Sequence, residues 1–263
     1  HFEPPPGPSF EPHAGCTSGL AESEDSAAHP DEKVEALSAC IARAIKLLEP
    51  HSPAQERLQT AIRQASGDSV SNRYVTLYEA IDSVAGELAF QPKFEASLPA
   101  GFPTYTPVGV IEVKKYPTYR MASGDNFWTL FQHIQQNQIE MTAPVQMNFT
   151  SGEQGEMRES KMSFLYGRRE IGNPGVQGKV NVVDNPPHSV VSLGMRGARS
   201  KEALKDARNR LQRWIENNKN YEAEGTMRVM GYNSPAVPRS RQFFEVQVPI
   251  KKITKTASVS DGP

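Results

Sequence analysis

Histidine and methionine are side chains of this chain able to ligate a transition metal, one through an imidazole nitrogen and the other through a thioether. There are six histidines and eight methionines. His1, His13 and His29 stand in a proline-rich N-terminal stretch, and His51 lies in a turn between two helical patterns. His188 follows Pro186-Pro187 and is expected to be exposed. His133 lies in NFWTLFQHI at 126–134, a helical run whose faces can be worked out. At about 100° per residue, Phe127, Leu130, Phe131 and Ile134 form the apolar stripe, and His133 falls about 120° or more from its centre. It is expected at the solvent or at a cleft rim, a weak candidate for a metal ligand. In IEMTAPVQM at 139–147, Met141 and Met147 alternate with polar residues and are expected on one apolar face. Filling an irregular core and lining a wall for a flat apolar ligand both remain open for them.

Other chemistry has less support. Tyr116, Tyr119 and Arg120 flank Pro117, where a bulge would aim them outward toward acidic ligand groups. Arg168, Arg169, Arg196 and Arg199 flank loops and read equally as solvated charges. Glu112, Glu140 and Glu245 with Tyr232 contain the parts of an acid/base pair, although each also reads as a strand residue facing water. No GxSxG, HExxH, paired CxxC or glycine-rich phosphate loop occurs. A net charge of −1 gives no general attraction to nucleic acid, and no apolar run reaches membrane-spanning length. A soluble chain is therefore expected. Its compartment is not legible, and export after removal of an N-terminal signal stays open because the chain begins at His1. Cys16 and Cys40 would tie an arm to the first helix if bonded, but a free pair fits as well.

These residues need elements to position them. Five prolines between Pro4 and Pro12 and the absence of apolar periodicity predict an extended arm over residues 1–30. Stripes of Val34, Leu37 and Ile41, then Leu58 and Ile62, then Tyr74, Leu77, Ile81 and Val84 predict three helices within 31–98. That helical extension is a candidate protein-interaction element over residues 31–90. GFPTYTPVG at 101–109 reads as a linker, and 254–263 as a flexible tail. Between them, the order strand, helix, strand, strand occurs twice, each time after a strand broken at proline (Pro117, then Pro186-Pro187). The second helix covers about 200–218, with Leu204, Ala207, Leu211 and Trp214 on one side.

EVKKYP at 112–117, the FWTLFQHI helix, MTAPV at 141–145, GYNSP at 231–235 and FEVQVPI at 244–250 stand in an order and spacing that resemble the SOUL haem-binding protein family. The resemblance covers residues 108–253. It implies an α+β fold in which duplicated strand-helix-strand-strand units form a distorted eight-stranded antiparallel β-barrel with two flanking helices. It also implies non-covalent capture of haem or another tetrapyrrole in an apolar cleft beside the first helix. Around that cleft Tyr116, Met121, Trp128, His133, Met141 and Met147 are the expected contacts, with His133 as the iron ligand if there is one. A ligand-binding protein is expected rather than an enzyme. The alternatives are a small-molecule or hydrolytic module of the same fold that does not use haem, and a protein-interaction module acting through the helical extension.

Overall fold

The computed structural model describes residues 29–151 and 157–253, so the expected arm, apart from its last two residues, and the expected tail lie outside them. Cys16 does too, and with it the question of a Cys16–Cys40 bond. Helix α1 (Pro30–Leu47), α2 (Pro53–Ala65) and α3 (Val70–Leu88) follow the expected stripes. Ser52 and Ser69 cap α2 and α3 by accepting the backbone N–H of Gln55 and Asn72. Val34, Leu37, Ile41, Leu58, Leu77 and Val84 then close on one another as a single apolar cluster. None of the helices is long and apolar enough to cross a membrane.

From Ile111 onward the elements are β1 (Ile111–Tyr116), β2 (Tyr119–Gly124), α4 (Phe127–Gln136), β3 (Val145–Ser151), β4 (Met157–Leu165), β5 (Gly175–Gln177), β6 (Val180–Asn185), β7 (His188–Arg196), α5 (Lys201–Asn217), β8 (Tyr221–Ala223), β9 (Arg228–Gly231) and β10 (Phe243–Lys252). The ten strands make one antiparallel sheet in the order β1-β7-β10-β9-β3-β4-β2-β6-β5, with β8 beside β10. Hydrogen bonding does not close this sheet, which departs from the expected eight-stranded barrel. The prolines explain why. β1 and β2 are one run kinked at Pro117, and β6 and β7 are one run kinked at Pro186-Pro187. The two runs pair on both sides of the kinks, Tyr116 opposite His188 and Tyr119 opposite Asn185. Proline has no N–H to continue a ladder, so the halves of each run belong to opposite ends of the strand order.

Alternation gives the sheet two faces. Outward-facing Ile111, Val191, Leu193, Phe244 and Val246 pack with Leu204, Ala207, Leu211 and Trp214 of α5. Ala122, Phe164 and Val182 pack with Leu130 and Ile134 of α4. Phe127 is 37% exposed and Phe131 half-buried, so only part of the stripe expected on α4 is core. The expected linker is also core. Phe90, Phe94, Leu98, Phe102, Tyr105 and Val108 lie along the inner face against Tyr116, Tyr119, Val190 and Phe243. This strap crosses β7 at Gly194, whose amide accepts the approach: Gly109 N–H donates to the Gly194 carbonyl at 2.9 Å. A Cβ at Gly194 would collide with the carbonyl oxygens of Thr106 and Pro107.

Candidate functional site

The inner face is polar where the strap leaves it. Alternation on β1 turns Lys114 and Tyr116 inward, on β10 Glu245 and Gln247, and on β9 Arg228; all five are buried. Glu245 Oε1 accepts from Lys114 Nζ at 2.7 Å and from the Thr106 backbone N–H at 2.6 Å. Its Oε2 accepts from Gln247 Nε2 at 2.5 Å, and the Tyr232 hydroxyl also bonds to this carboxylate. Burial would lower the Lys114 ammonium, but the charge and hydrogen bond of Glu245, with Tyr116 and Glu112 nearby, together outweigh it and hold the pKa above its ordinary value. Burial, reinforced by Glu245, pushes the Tyr232 phenol well up. The expectation that Glu245 and Tyr232 face water is therefore corrected: both sit in the interior because strap and lysine supply the partners that a buried carboxylate needs. Glu112 is half-buried, its carboxyl raised by burial, and Glu140 is exposed. With so many donors on it, the Glu245 carboxylate is a cross-link and a poor general base.

The network continues toward the proline kinks. Arg228 Nε donates to Gln247 Oε1 at 3.0 Å, and Nη1 donates to Tyr119 Oη at 3.1 Å and Gln146 Oε1 at 3.4 Å. Its guanidinium carbon lies 5.0 Å from the centre of the Tyr116 ring. His188 stacks on the same ring at 5.4 Å and 16°, and lies 5.8 Å from the Tyr119 ring. It is half-buried rather than exposed, because the kink turns it against these two rings. Tyr116 and Tyr119, expected to point outward at a bulge, face in for the same reason. Arg120 is also buried, held by Asp184 in a two-point pair of 2.7 and 2.9 Å.

The six expected ligand contacts do not line one cavity. Tyr116 and Met121 belong to the inner cluster. Met141 packs under α4 and Met147 under α5: residues 139–144 are not strand, so the alternation that would place both on one face begins only at Val145. Trp128 stands 69% exposed on α4, beside Phe127 and Phe131. His133 is buried, contrary to the expectation of a solvent-facing or rim position. Because Phe127 and Phe131 turn partly outward, the buried side of α4 shifts toward His133, and Tyr166 gives the imidazole the partner it needs. His133 Nε2 and Tyr166 Oη are 2.8 Å apart, and Nδ1 faces Asn137 Nδ2 at 3.4 Å. Burial lowers the His133 pKa. Both ring nitrogens thus have a polar neighbour.

A second concavity lies beside α5. It encloses about 420 Å³ and is walled by Phe149, Met157, Ile215, Met227 and Val248, with Arg208 on the helix at its side. That size is typical of small-molecule clefts. Nothing in the local sequence announced it, since its wall comes from five elements and the loop after β8. No cluster able to hold a bare metal ion occurs among the described residues.

A family model described as SOUL heme-binding protein matches residues 102–249. No curated protein matches the chain. Among solved structures, the EcmrR C-terminal domain is 15% identical, with 54% of this chain and 98% of that one covered at a TM-score of 0.41. A hydrolase from Listeria innocua is 10% identical, covering 56% and 94% at 0.41. SAV2435 bound to tetraphenylphosphonium is 12% identical, covering 54% and 93% at 0.33. Likenesses this distant assign no function.

Proposed function

The chain belongs to the SOUL haem-binding protein family, and from that premise we propose that it binds haem or a related tetrapyrrole non-covalently in the cleft beside α5. The observation that carries this reading is the wall of that cleft: aromatic, thioether and aliphatic side chains on several elements, with a guanidinium at the side. A flat macrocycle gains affinity by burying its faces, at about 25 cal/mol per Å² before association costs. Arg208 would pair with a propionate, and the thioethers of Met157 and Met227 in the cleft wall would be the soft donors available to an iron. No histidine lines the cleft. Of the six residues expected from the sequence, Met147 borders this site through its packing with Met227 and Val248.

A second reading rests on the exposed Trp128 and Phe127 and the half-buried Phe131 of α4, which keep the expected cleft beside the first helix in play. The strand order supports a common origin for the two helix faces. With the short β5 and β8 left aside, exchanging β1 with β6, β2 with β7, β3 with β9 and β4 with β10 returns the same order read backward, so we read the sheet as two copies of one unit. Under that reading, α4 and α5 are equivalent helices.

Haemin titration of the full chain, followed by the Soret band, separates the two surfaces. Ile215→Asp, at the edge of the α5 cleft, should weaken binding by about tenfold or more, whereas Trp128→Ala should change it little. Metal-free protoporphyrin should bind within about tenfold of haemin, since one weak axial bond does not dominate the sum. The reverse pattern, with loss in Trp128→Ala alone, would move the site to α4. Absence of any Soret change in the unmodified chain would overturn the proposal itself.

A further inference from the structure

Two buried nitrogens of the inner network have no partner among the described residues: Arg228 Nη2 and His188 Nε2. The first belongs to a guanidinium only 4% exposed, whose other nitrogens donate to neutral groups: Gln247, Gln146 and Tyr119. The nearby lysine and glutamate neutralise each other, so Arg228 brings a positive charge that no carboxylate beside it offsets. A buried charge without a counter-charge is unfavourable, and an anion at this position would offset that cost. His188 supplies the second half. Its Nδ1 lies 2.9 Å from the Pro186 carbonyl oxygen, which can only accept, so Nδ1 carries a proton and Nε2 is the free position. Tyr116 and Tyr119 are neighbours of both side chains, since each ring packs against His188 and each also touches Arg228, and the Arg228 charge acts on the His188 imidazole.

We propose that Arg228 Nη2 and His188 Nε2 together bind a small carboxylate at the inner face of the sheet, beside the Pro186-Pro187 kink. One oxygen accepts from the guanidinium and the other from the imidazolium. Two donor positions match the two oxygens of a carboxylate and leave the third oxygen of a phosphate group without a partner. Pro186 and Pro187 are exposed and His188 is half-buried, so the kink is the side open to solvent. Binding takes up a proton, because Nε2 donates to the anion only when the imidazole is charged. The groups facing His188 are Tyr116 on β1, Tyr119 on β2, Arg228 on β9 and Glu224 after β8, with the Lys114–Glu245 pair beyond Tyr116. Burial first, and then the Arg228 charge, hold the His188 pKa down in the absence of an anion. A carboxylate between them reverses that second influence. This site is separate from the α5 cleft and does not depend on tetrapyrrole binding.

The test is an NMR titration of the His188 imidazole in the full chain, assigned by difference from His188→Asn. Sodium acetate is compared with sodium chloride at equal ionic strength. Saturating acetate should raise the His188 midpoint by about one pH unit, equivalent to about tenfold tighter binding by the protonated form. Chloride should not do so, and Arg228→Gln should abolish the acetate effect. Arg228→Gln removes an uncompensated charge and keeps a donor, and should fold; if it does not, calorimetry of acetate binding to the unmodified chain in two buffers of different ionisation enthalpy reads the proton uptake directly. A midpoint indifferent to acetate, an equal shift with chloride, or an effect surviving in Arg228→Gln would each sink the idea and leave a bridging water as the partner of both nitrogens.

Discussion

At the scale of single residues, the interior of this protein is organised by groups whose chemistry looked superficial in the sequence. His133 is the clearest case. An apolar stripe of four residues placed it outside, yet the tilt of α4 exposes part of that stripe and buries the histidine against Tyr166. Burial holds the His133 pKa below its ordinary value, and His188 behaves likewise. The fold therefore stabilises the neutral imidazoles. An unfolded histidine takes up its proton near pH 6.5, so this contribution is complete above about pH 6.5 and is lost as pH falls through the lower folded pKa. His133→Asn should lose about 1–3 kcal/mol at neutral pH by leaving Tyr166 short of its partner. It should also show a shallower loss of stability on acidification than the unmodified chain. Urea denaturation at a series of pH values checks both, and equal acid slopes would mean that another group carries the pH dependence.

At the scale of elements, periodicity made the helices legible and concealed the strap. Val34, Leu37 and Ile41 at intervals of three and four can only make one helical face, and Leu204, Ala207, Leu211 and Trp214 likewise, so α1 and α5 follow directly. Between 90 and 108 the apolar residues keep no period, and the prolines and glycines among them suggest a connection. What buries this segment is the shape of the inner sheet face, which is set by residues far along the chain. The candidate cleft was hidden for the same reason: Phe149, Ile215 and Val248 mean nothing together until the sheet assembles. Gly194 tests the strap. A methyl group there meets backbone rather than a movable side chain, so Gly194→Ala should cost about 1–3 kcal/mol or more. Gly86, in the last turn of α3 with open space where a Cβ would stand, is the contrast, and Gly86→Ala should add up to about 0.5–1 kcal/mol. Thermal melts of both variants measure the difference; a harmless Gly194→Ala would show that the strap can lift off β7.

At the scale of the whole molecule, the helical extension is fastened to the sheet by more than the strap. Trp214 Nε1 of α5 donates to Glu49 Oε2 at 3.1 Å, Asn217 reaches His51 at 2.8 Å, and Arg210 pairs with Glu56. Ala54 N–H donates to the Gly109 carbonyl at 3.2 Å. A chain beginning at residue 89 loses these ties but retains the aromatic filling of the inner face, and should still unfold cooperatively at reduced stability. A chain beginning at residue 109 leaves Tyr116, Tyr119 and Phe243 uncovered and Glu245 without its backbone donor, and should not. Urea unfolding of both chains distinguishes them. A cooperative transition of equal midpoint in the shorter one would return residues 90–108 to the status of a linker.

The bond from the Thr106 amide to Glu245 spans 139 residues and has a consequence for how the protein is made. On the ribosome the strap emerges before a single strand of the sheet, and the carboxylate that receives it arrives with the last strand of all. The three helices come before the strap and close on one another as one apolar cluster. The aromatic segment that follows them packs on the sheet, and must wait in the open while both helix-bearing halves of the sheet are synthesised. Contacts so distant in sequence form slowly. During translation, then, the most hydrophobic connection in the chain is the part most in need of shelter, and its final partner decides when that need ends.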